Sequence, residues 1–583
     1  MLKIFKRMGR QEWTLLAASV VIIICQVYMD LRVPDYMASI TRLVKTEGSG
    51  LPSIWRSGLL MLGCALMSML LSFVSGYITA MLAAVFSRNL RGKLFDKVES
   101  FSLQEMDRFS TASLITRSTN DVAQLQNFIS GGFAMMIRTP ITVTIALMKI
   151  TGKHWQWRAV TAGGVFIVIC VVVFIIRYAH PRFRKMQMLT DELNRTMREN
   201  LTGIRVVRAY NAEAFQEAKF EEANDRLTRN HRSAQLAMSV MQPIMRLTNN
   251  ALNVAIYCIG GFIIASMSGG GGDSIGTFSD MIVFSTYASK ILFSFMGLNF
   301  IFMMLPRASV CAQRINEVLE TPLSLENGAG AEQTPEKKGT IEFRNVSFRY
   351  PGSEEDVITG ISFTVSKGQT VAIIGATGSG KTSLINLIPR FYDPSEGEVL
   401  VDGRNVRDYR LEDLRGKIGY APQRAVLFTG TVRSNVDYGT GSVSHNVRRA
   451  VEIAQAAEFV EKMDDGYDAR IVRGGMNVSG GQRQRLSLAR AVCREPEIYL
   501  FDDTFSALDY KTDRALRAAL RKETAGVTTL IVAQRIGTIR DADCILVLDE
   551  GQIVGRGTHD ELMASCEVYR EIARTQLDEK EVS

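Results

Sequence analysis

Gly375-Ala376-Thr377-Gly378-Ser379-Gly380-Lys381-Thr382 reads G-x-x-x-x-G-K-T, and its flanks give it a structural setting. Thr370-Val371-Ala372-Ile373-Ile374 before it is a short apolar run with the composition of a buried strand. Ser383-Leu384-Ile385-Asn386-Leu387-Ile388 after it continues as a helix. The glycines permit a tight turn in which successive backbone N–H groups aim at one nest of phosphate oxygens. In such a turn Lys381 reaches the β- and γ-phosphates and the Thr382 hydroxyl is placed to ligate Mg²⁺. The helix N-terminus at Ser383 adds favourable potential for the anion. Strand, helix and the Lys-Thr pair together separate this loop from an accidental Gly-rich turn. Its candidate phosphate-binding residues are Gly375, Thr377, Gly378, Ser379, Gly380, Lys381, Thr382 and Ser383.

Downstream and upstream of this loop the chain has two different characters. From residue 340 to 583, β-branched runs alternate with helical patterns, as in a soluble α/β domain. Residues 321–339 are polar and rich in Gly, Glu and Pro, and read as a linker. Residues 1–320 carry six apolar runs of spanning length, at about 13–31, 58–86, 128–150, 159–176, 236–267 and 275–305. The expected fold is therefore an α-helical membrane domain with six transmembrane helices and long cytoplasmic extensions, joined to an α/β P-loop domain.

Orientation follows from charge. The stretches 87–127 and 177–232 are basic and helical in pattern, the first with Arg88, Arg91, Lys93, Lys97, Arg108 and Arg117, so both are expected on the cytoplasmic side. Residues 32–56 are expected as an outer loop, and 151–158 and 268–273 as outer turns, Trp155 and Trp157 supplying interfacial anchors. Both termini are then cytoplasmic in a multi-pass protein of the cell membrane, a bacterial plasma membrane. Residues 2–12, mixing bulky apolar and basic side chains, suit a short interfacial helix. The net charge of +8 reads as this positive-inside bias rather than as a nucleic-acid footprint. The eight cysteines form no C-x-x-C pair, which argues against a disulfide framework or a zinc site. The first apolar run lacks a small-residue cleavage site and is expected to remain as a span.

Val478-Ser479-Gly480-Gly481-Gln482 lies about a hundred residues beyond the phosphate loop and just before Ile498-Tyr499-Leu500-Phe501-Asp502, an apolar strand ending in Asp. With these residues the chain resembles the ATP-binding cassette (ABC) proteins, whose signature is S-G-G-Q. Six spans followed by one cassette resemble a half-transporter of the ABC exporter type, and the likeness covers essentially the whole chain. The resemblance implies ATP and Mg²⁺ as cofactors. It implies that Tyr350 stacks on adenine, that Gln423 touches Mg²⁺ and the attacking water, and that Asp502 holds Mg²⁺. It also implies that Ser479, Gly480, Gly481 and Gln482 face the γ-phosphate bound by a second subunit. Asp509, in Ser506-Ala507-Leu508-Asp509, belongs by the same likeness to a loop that crosses the dimer interface. Residues 109–117 and 208–213 match the short transverse helices of the cytoplasmic extensions.

Two positions depart from the family pattern. Asp503 stands where the family has the Glu that orients the lytic water, so its carboxylate is withdrawn by roughly 1.5 Å, one C–C bond. A general base acts only within hydrogen-bond reach of its proton. Gln534 stands where the family has a His on the γ-phosphate, and an amide donates a hydrogen bond but carries no charge. Asp503, Gln534 and Gln423 are thus the catalytic positions of a site expected to bind ATP and hydrolyse it poorly. The intact signature then implies a heterodimer with a second half-transporter that supplies the Glu and the His. Met238, Met241 and Met245, with the aromatic residues of the sixth span, suit amphipathic, drug-like cargo beside membrane lipid. Peptide or lipid cargo, or an ATP-gated channel or regulator, are the alternatives; six spans exclude a soluble ATPase.

Overall fold

The computed structural model describes residues 2–45, 50–267, 274–330, 338–439, 445–506, 508–523 and 525–576. The chain forms two compact units. One comprises Met1–Glu99 and Ala112–Thr321, and the other comprises Ser100–Thr111 and Pro322–Ser583.

The first unit is all helix. Among the described residues five helical stretches are long and apolar enough to cross a membrane: Arg10–Val44, Leu51–Glu99, Thr111–Thr151, Trp155–Ile175 and Glu213–Ser266. Helix Ser274–Glu320 covers the sixth expected span. The expected outer loop at 32–56 is mostly helical instead, since one helix runs to Lys45 and the next begins at Leu51. The helix outlasts its apolar run because its charges find partners on neighbouring helices. Asp35 accepts from Lys149 at 2.7 Å and from the Tyr287 hydroxyl at 2.7 Å, and Arg42 pairs with Asp280 at 3.2 Å. Residues 128–133 form a wide helical turn before helix Ala134–Thr151, so the third span starts in irregular helix. The turn 268–273 lies outside the described residues.

Short helices at Leu103–Phe109 and Ile204–Ala209 run into the expected stretches 109–117 and 208–213, and a further one, Thr111–Thr116, lies inside the first stretch. Local chemistry sets the helix Leu103–Phe109. Ser102 and Glu105 form a capping box at its start, and Ser110, at φ 56°, ends it.

In the second unit β1 (Ile341–Phe348) pairs antiparallel with β2 (Ile358–Val365) and with β4 (Glu396–Val401), as its alternation predicts, and β5 (Arg404–Asn405) closes that sheet. The larger sheet contains β3 (Thr370–Gly375), β6 (Ile418–Ala421), β9 (Ile498–Asp502), β10 (Thr528–Val532), β11 (Cys544–Asp549) and β12 (Gln552–Gly557), in the order β12-β11-β3-β10-β9-β6, while β7 (Gly430–Thr431) and β8 (Arg470–Ile471) pair with each other. All neighbours in the larger sheet are parallel except β11 and β12. Its strands are continuous apolar runs because both faces are covered, with Val371, Ile373, Leu500 and Leu530 buried on one side and Phe501 and Ala372 on the other. Of the expected linker, residues 331–337 lie outside the described residues. Its earlier part is anchored rather than free: Gly328 N–H donates to the Tyr409 carbonyl at 3.0 Å and Leu411 N–H to Asn327 Oδ1 at 3.0 Å.

Candidate functional site

The site is assembled by parallel pairing. Strands β3, β10, β9 and β6 lie side by side, so their carboxyl ends open at one edge of the sheet. Gly375 ends β3, Gln534 lies just past β10, Asp502 ends β9 with Asp503 directly after it, and Gln423 follows β6. Residues from four separate parts of the chain thereby reach one crevice.

The loop after β3 has the backbone its glycines predict. Gly378 and Gly380 adopt φ of 90° and 94°, and a Cβ on Gly375 would lie 2.0 Å from the Leu548 carbonyl oxygen. Helix Lys381–Asn386 starts directly from Gly380. Lys381 folds back over the loop, donating to the Ala376 carbonyl at 2.6 Å, to Gly375 at 2.9 Å and to Ser379 Oγ at 3.3 Å. Burial holds its ammonium below the ordinary lysine range, although Asp503 and Asp502 oppose that shift. An anion in the nest would replace those carbonyls and meet a cation already aimed at it.

Thr382 Oγ1 donates to Asp502 Oδ1 at 3.0 Å. A hydroxyl and a carboxylate in contact are the donor set that holds Mg²⁺ together with nucleotide phosphates. Asp502 is 1% exposed, and burial raises its carboxyl above the usual range, with the Thr382 hydrogen bond acting in the opposite direction. Tyr350 shares a hydrogen bond of 2.9 Å with the Ser383 hydroxyl, and its ring meets Phe348 and Tyr392 edge-on.

Asp503 is the centre of the departures noted in the sequence. Its Oδ2 accepts from Gln534 Nε2 at 3.0 Å and from Gln423 Nε2 at 3.3 Å. Both amides thus close on one short carboxylate. The residue sits at φ 48°, a left-handed conformation that Asp tolerates better than most residues at a cost of about 1–3 kcal/mol. The Asp503 N–H donates to the Val532 carbonyl at 2.9 Å and Ser506 Oγ donates to the Asp503 carbonyl at 2.9 Å, which fixes that backbone. Burial raises the Asp503 carboxyl as well, against the hydrogen bond from Gln423.

The signature residues are not part of this crevice. Ser479 caps helix Gly480–Cys493 in a capping box with Gln482, and Ser479 and Gly480 are exposed. Asp509 is exposed too; its Oδ1 accepts from Thr512 N–H at 3.0 Å, and that bond holds its carboxyl below the usual range. Ala507 lies outside the described residues. One contributor escaped sequence reasoning: Gln484 Nε2 donates to the Gln423 carbonyl at 3.4 Å, tying the signature helix to the crevice. Nothing in the local sequence marks it, because the contact exists only once β6 and the helix are packed.

Residues 16–296 match the family model for the ABC transporter transmembrane region, and residues 358–506 match the family model described as ABC transporter. An uncharacterized ABC transporter ATP-binding protein of Mycobacterium tuberculosis is 40% identical over 529 residues, covering 90% of this chain and 89% of that protein. The chain belongs to the ABC transporter family. An ATP-dependent lipid A-core flippase of Pseudomonas aeruginosa is 32% identical, covering 87% of this chain and 83% of that protein. The fold is that of a bacterial Atm1-family ABC exporter solved with ATP bound, with a TM-score of 0.76 at 23% identity over 97% of this chain and 99% of that chain. This ABC transporter is a membrane-spanning, ATP-binding protein whose ATPase activity is coupled to transport.

Proposed function

We propose that this ABC exporter chain is the degenerate-site half of a heterodimer that moves amphipathic, drug-like compounds out of the cytoplasm or the inner leaflet. Its own loop binds ATP through Tyr350, Lys381 and the backbone of 375–383, with Thr382, Asp502 and Gln423 holding Mg²⁺. The metal would neutralise charge on the β- and γ-phosphates. Asp503 positions water poorly, so ATP stays bound there through many cycles. The Ser479-Gly480-Gly481-Gln482 signature completes the partner's site, where a Glu and a His do most of the hydrolysis. The protein lies in the plasma membrane with both termini cytoplasmic and contacts membrane lipid. It binds no nucleic acid.

The observation that carries this reading is the Asp503 carboxylate held by both Gln534 and Gln423. With Oδ2 occupied by two amides, only Oδ1 is left to face a water, and it sits on a side chain one methylene shorter than Glu. The flippase relative supports a second reading on cargo, a lipid moved by the same machinery.

Nucleotide content tests the proposal. The purified heterodimer is loaded with radiolabelled ATP, chased with unlabelled ATP during turnover, and assayed for retained label. Retention of about one intact ATP per heterodimer is expected. Retention of none, with ADP formed at both sites, would sink it.

A further inference from the structure

Helix Trp155–Thr202 and the pair Glu213–Ser239 and Met241–Met267 border an open cavity of about 600 Å³. That volume falls within the ~300–1,000 Å³ of small-ligand pockets. Cys170, Phe174 and Tyr178 line one wall at four-residue intervals, the spacing of a single helix face, and Leu236, Val240 and Ile244 line the other. Cys170 and Phe174 fall within the apolar run 159–176, which Arg177 ends, and Tyr178 lies just beyond it. The cavity therefore crosses the boundary between hydrocarbon and water.

At the water end the chemistry changes. One turn past Tyr178, the Arg182 guanidinium lies 3.5 Å over the Tyr178 ring and donates to the Tyr178 carbonyl at 2.8 Å. On the facing helix Ser233 lines the cavity, and Arg229 is one turn away. Arg229 Nε donates to the Asp225 carbonyl at 3.3 Å. Asn230 Nδ2 donates to the Arg182 carbonyl at 2.9 Å and pins the two helices at this level. Among the described residues the hydrogen bonds donated by both guanidinium groups end on main-chain carbonyls, not on carboxylates. The sequence has no Asp or Glu between Val171 and Thr190, or between Leu227 and Gly272. Arg177, Arg182, Lys185, Arg229 and Arg232 all lie in those stretches.

An apolar bay with two arginines near its water end, neither in an ion pair with a carboxylate among the described residues although Asp225 lies one turn before Arg229, matches an amphipathic anion whose tail is hydrocarbon. The surrounding membrane supplies that molecule, and basic groups at its surface attract anionic headgroups. We infer that the bay holds an acyl chain of an anionic phospholipid from the leaflet beside the charged helical extensions, its phosphate on Arg182 and Arg229. Arginine suits this role because its fork matches phosphate geometry. The site is separate from the nucleotide crevice and does not depend on the heterodimer reading.

The test uses the full exporter, extracted and incubated without nucleotide in either phosphatidylglycerol or phosphatidylcholine, with retained lipid weighed by native mass spectrometry. The wild type is expected to retain phosphatidylglycerol selectively. Arg182→Gln with Arg229→Gln should cut that retention roughly tenfold or more, since each phosphate contact carries a factor of about five. Ala237→Trp, which fills the bay without changing charge, should cut it as well. In the wild-type protein, phosphatidylglycerol should also slow alkylation of Cys170, read by peptide mass, while phosphatidylcholine should not, a result that needs no variant to fold. Equal retention of both lipids, unchanged retention in the two variants, or no protection of Cys170 overturns the inference. Loss of the bound lipid on every ATP turnover overturns it too, marking the lipid as cargo.

Discussion

On the proposed reading of a degenerate site in a heterodimer, lengthening the base at position 503 and placing a His at 534 should raise hydrolysis at this chain's own site. In the native chain Asp503 Oδ2 accepts from Gln534 at 3.0 Å and from Gln423 at 3.3 Å. Asp503→Glu extends the carboxylate by roughly 1.5 Å, about half the length of a hydrogen bond, enough to carry it from those amides to a water beyond them. Gln534→His removes one of the two amides and returns a group able to carry charge. A positioned base contributes ~10²–10⁴ in rate, or about 2.7–5.4 kcal/mol at ~1.36 kcal/mol per tenfold. The assay is phosphate release by the heterodimer in lipid, with the partner's own Glu replaced by Gln so that turnover reports this chain's site alone. The double variant is expected to raise that background at least ~10²-fold. Asp503→Glu alone should do less, because Gln534 still competes for the carboxylate. If Asp503→Ala in the otherwise native heterodimer abolishes turnover, the chain hydrolyses ATP as an ordinary subunit and the reasoning fails.

Lys381→Ala removes the cation over the loop, and nucleotide affinity at this chain's site should fall; an unchanged Kd would reject the phosphate-loop assignment. A cysteine at Ser53 should react with an impermeant thiol reagent from outside cells and one at Thr111 should not, reversed labelling overturning the proposed orientation. Lys417 joins Asp402 at 2.7 Å and Glu497 at 3.1 Å with its side chain 8% exposed, so Lys417→Met should cost about 3–5 kcal/mol by taking the cation from the buried Asp402 carboxylate, as read from chemical denaturation. Burial first, then Arg540, holds His559 below its ordinary value of 6.5 while its Nδ1 shares a hydrogen bond with the Tyr569 hydroxyl. The unfolded chain then binds a proton that the folded chain refuses, so this contribution to stability is present above 6.5 and lost as pH falls below it. Melting curves at about pH 7.5 and pH 5.5 should converge in His559→Asn relative to wild type; an unaltered pH slope would refute it.

What could be read from the sequence was whatever local chemistry determines. Glycines 378 and 380 before a Lys-Thr pair specify their own backbone, and the helix and strand flanking them follow from composition. The alternation in 341–348 likewise gave an antiparallel strand. Helix length was harder. Hydropathy ends the first span near Leu31, but Asp35 and Arg42 are satisfied by residues more than a hundred positions away, and the helix continues to Lys45. Gln423, Asp503 and Gln534 each stood out singly in the sequence, yet the closure of Gln423 and Gln534 on one oxygen depends on strand order β10-β9-β6, which no short window encodes.

The helix Leu103–Phe109 belongs to the same unit as the cassette, although residues on both sides of it in sequence belong to the other unit. The polypeptide therefore enters that unit twice. Glu105 Oε1 accepts the Ser324 N–H at 2.9 Å, and Asp107 Oδ2 accepts the Tyr392 hydroxyl at 3.1 Å. A cassette excised at residue 322 would leave a donor at each of those places with nothing to receive it, and would differ from the intact protein most where the missing helix sits. Unfolding measured on such a fragment describes a smaller object than the native unit, and no single cut along the chain separates the two units cleanly.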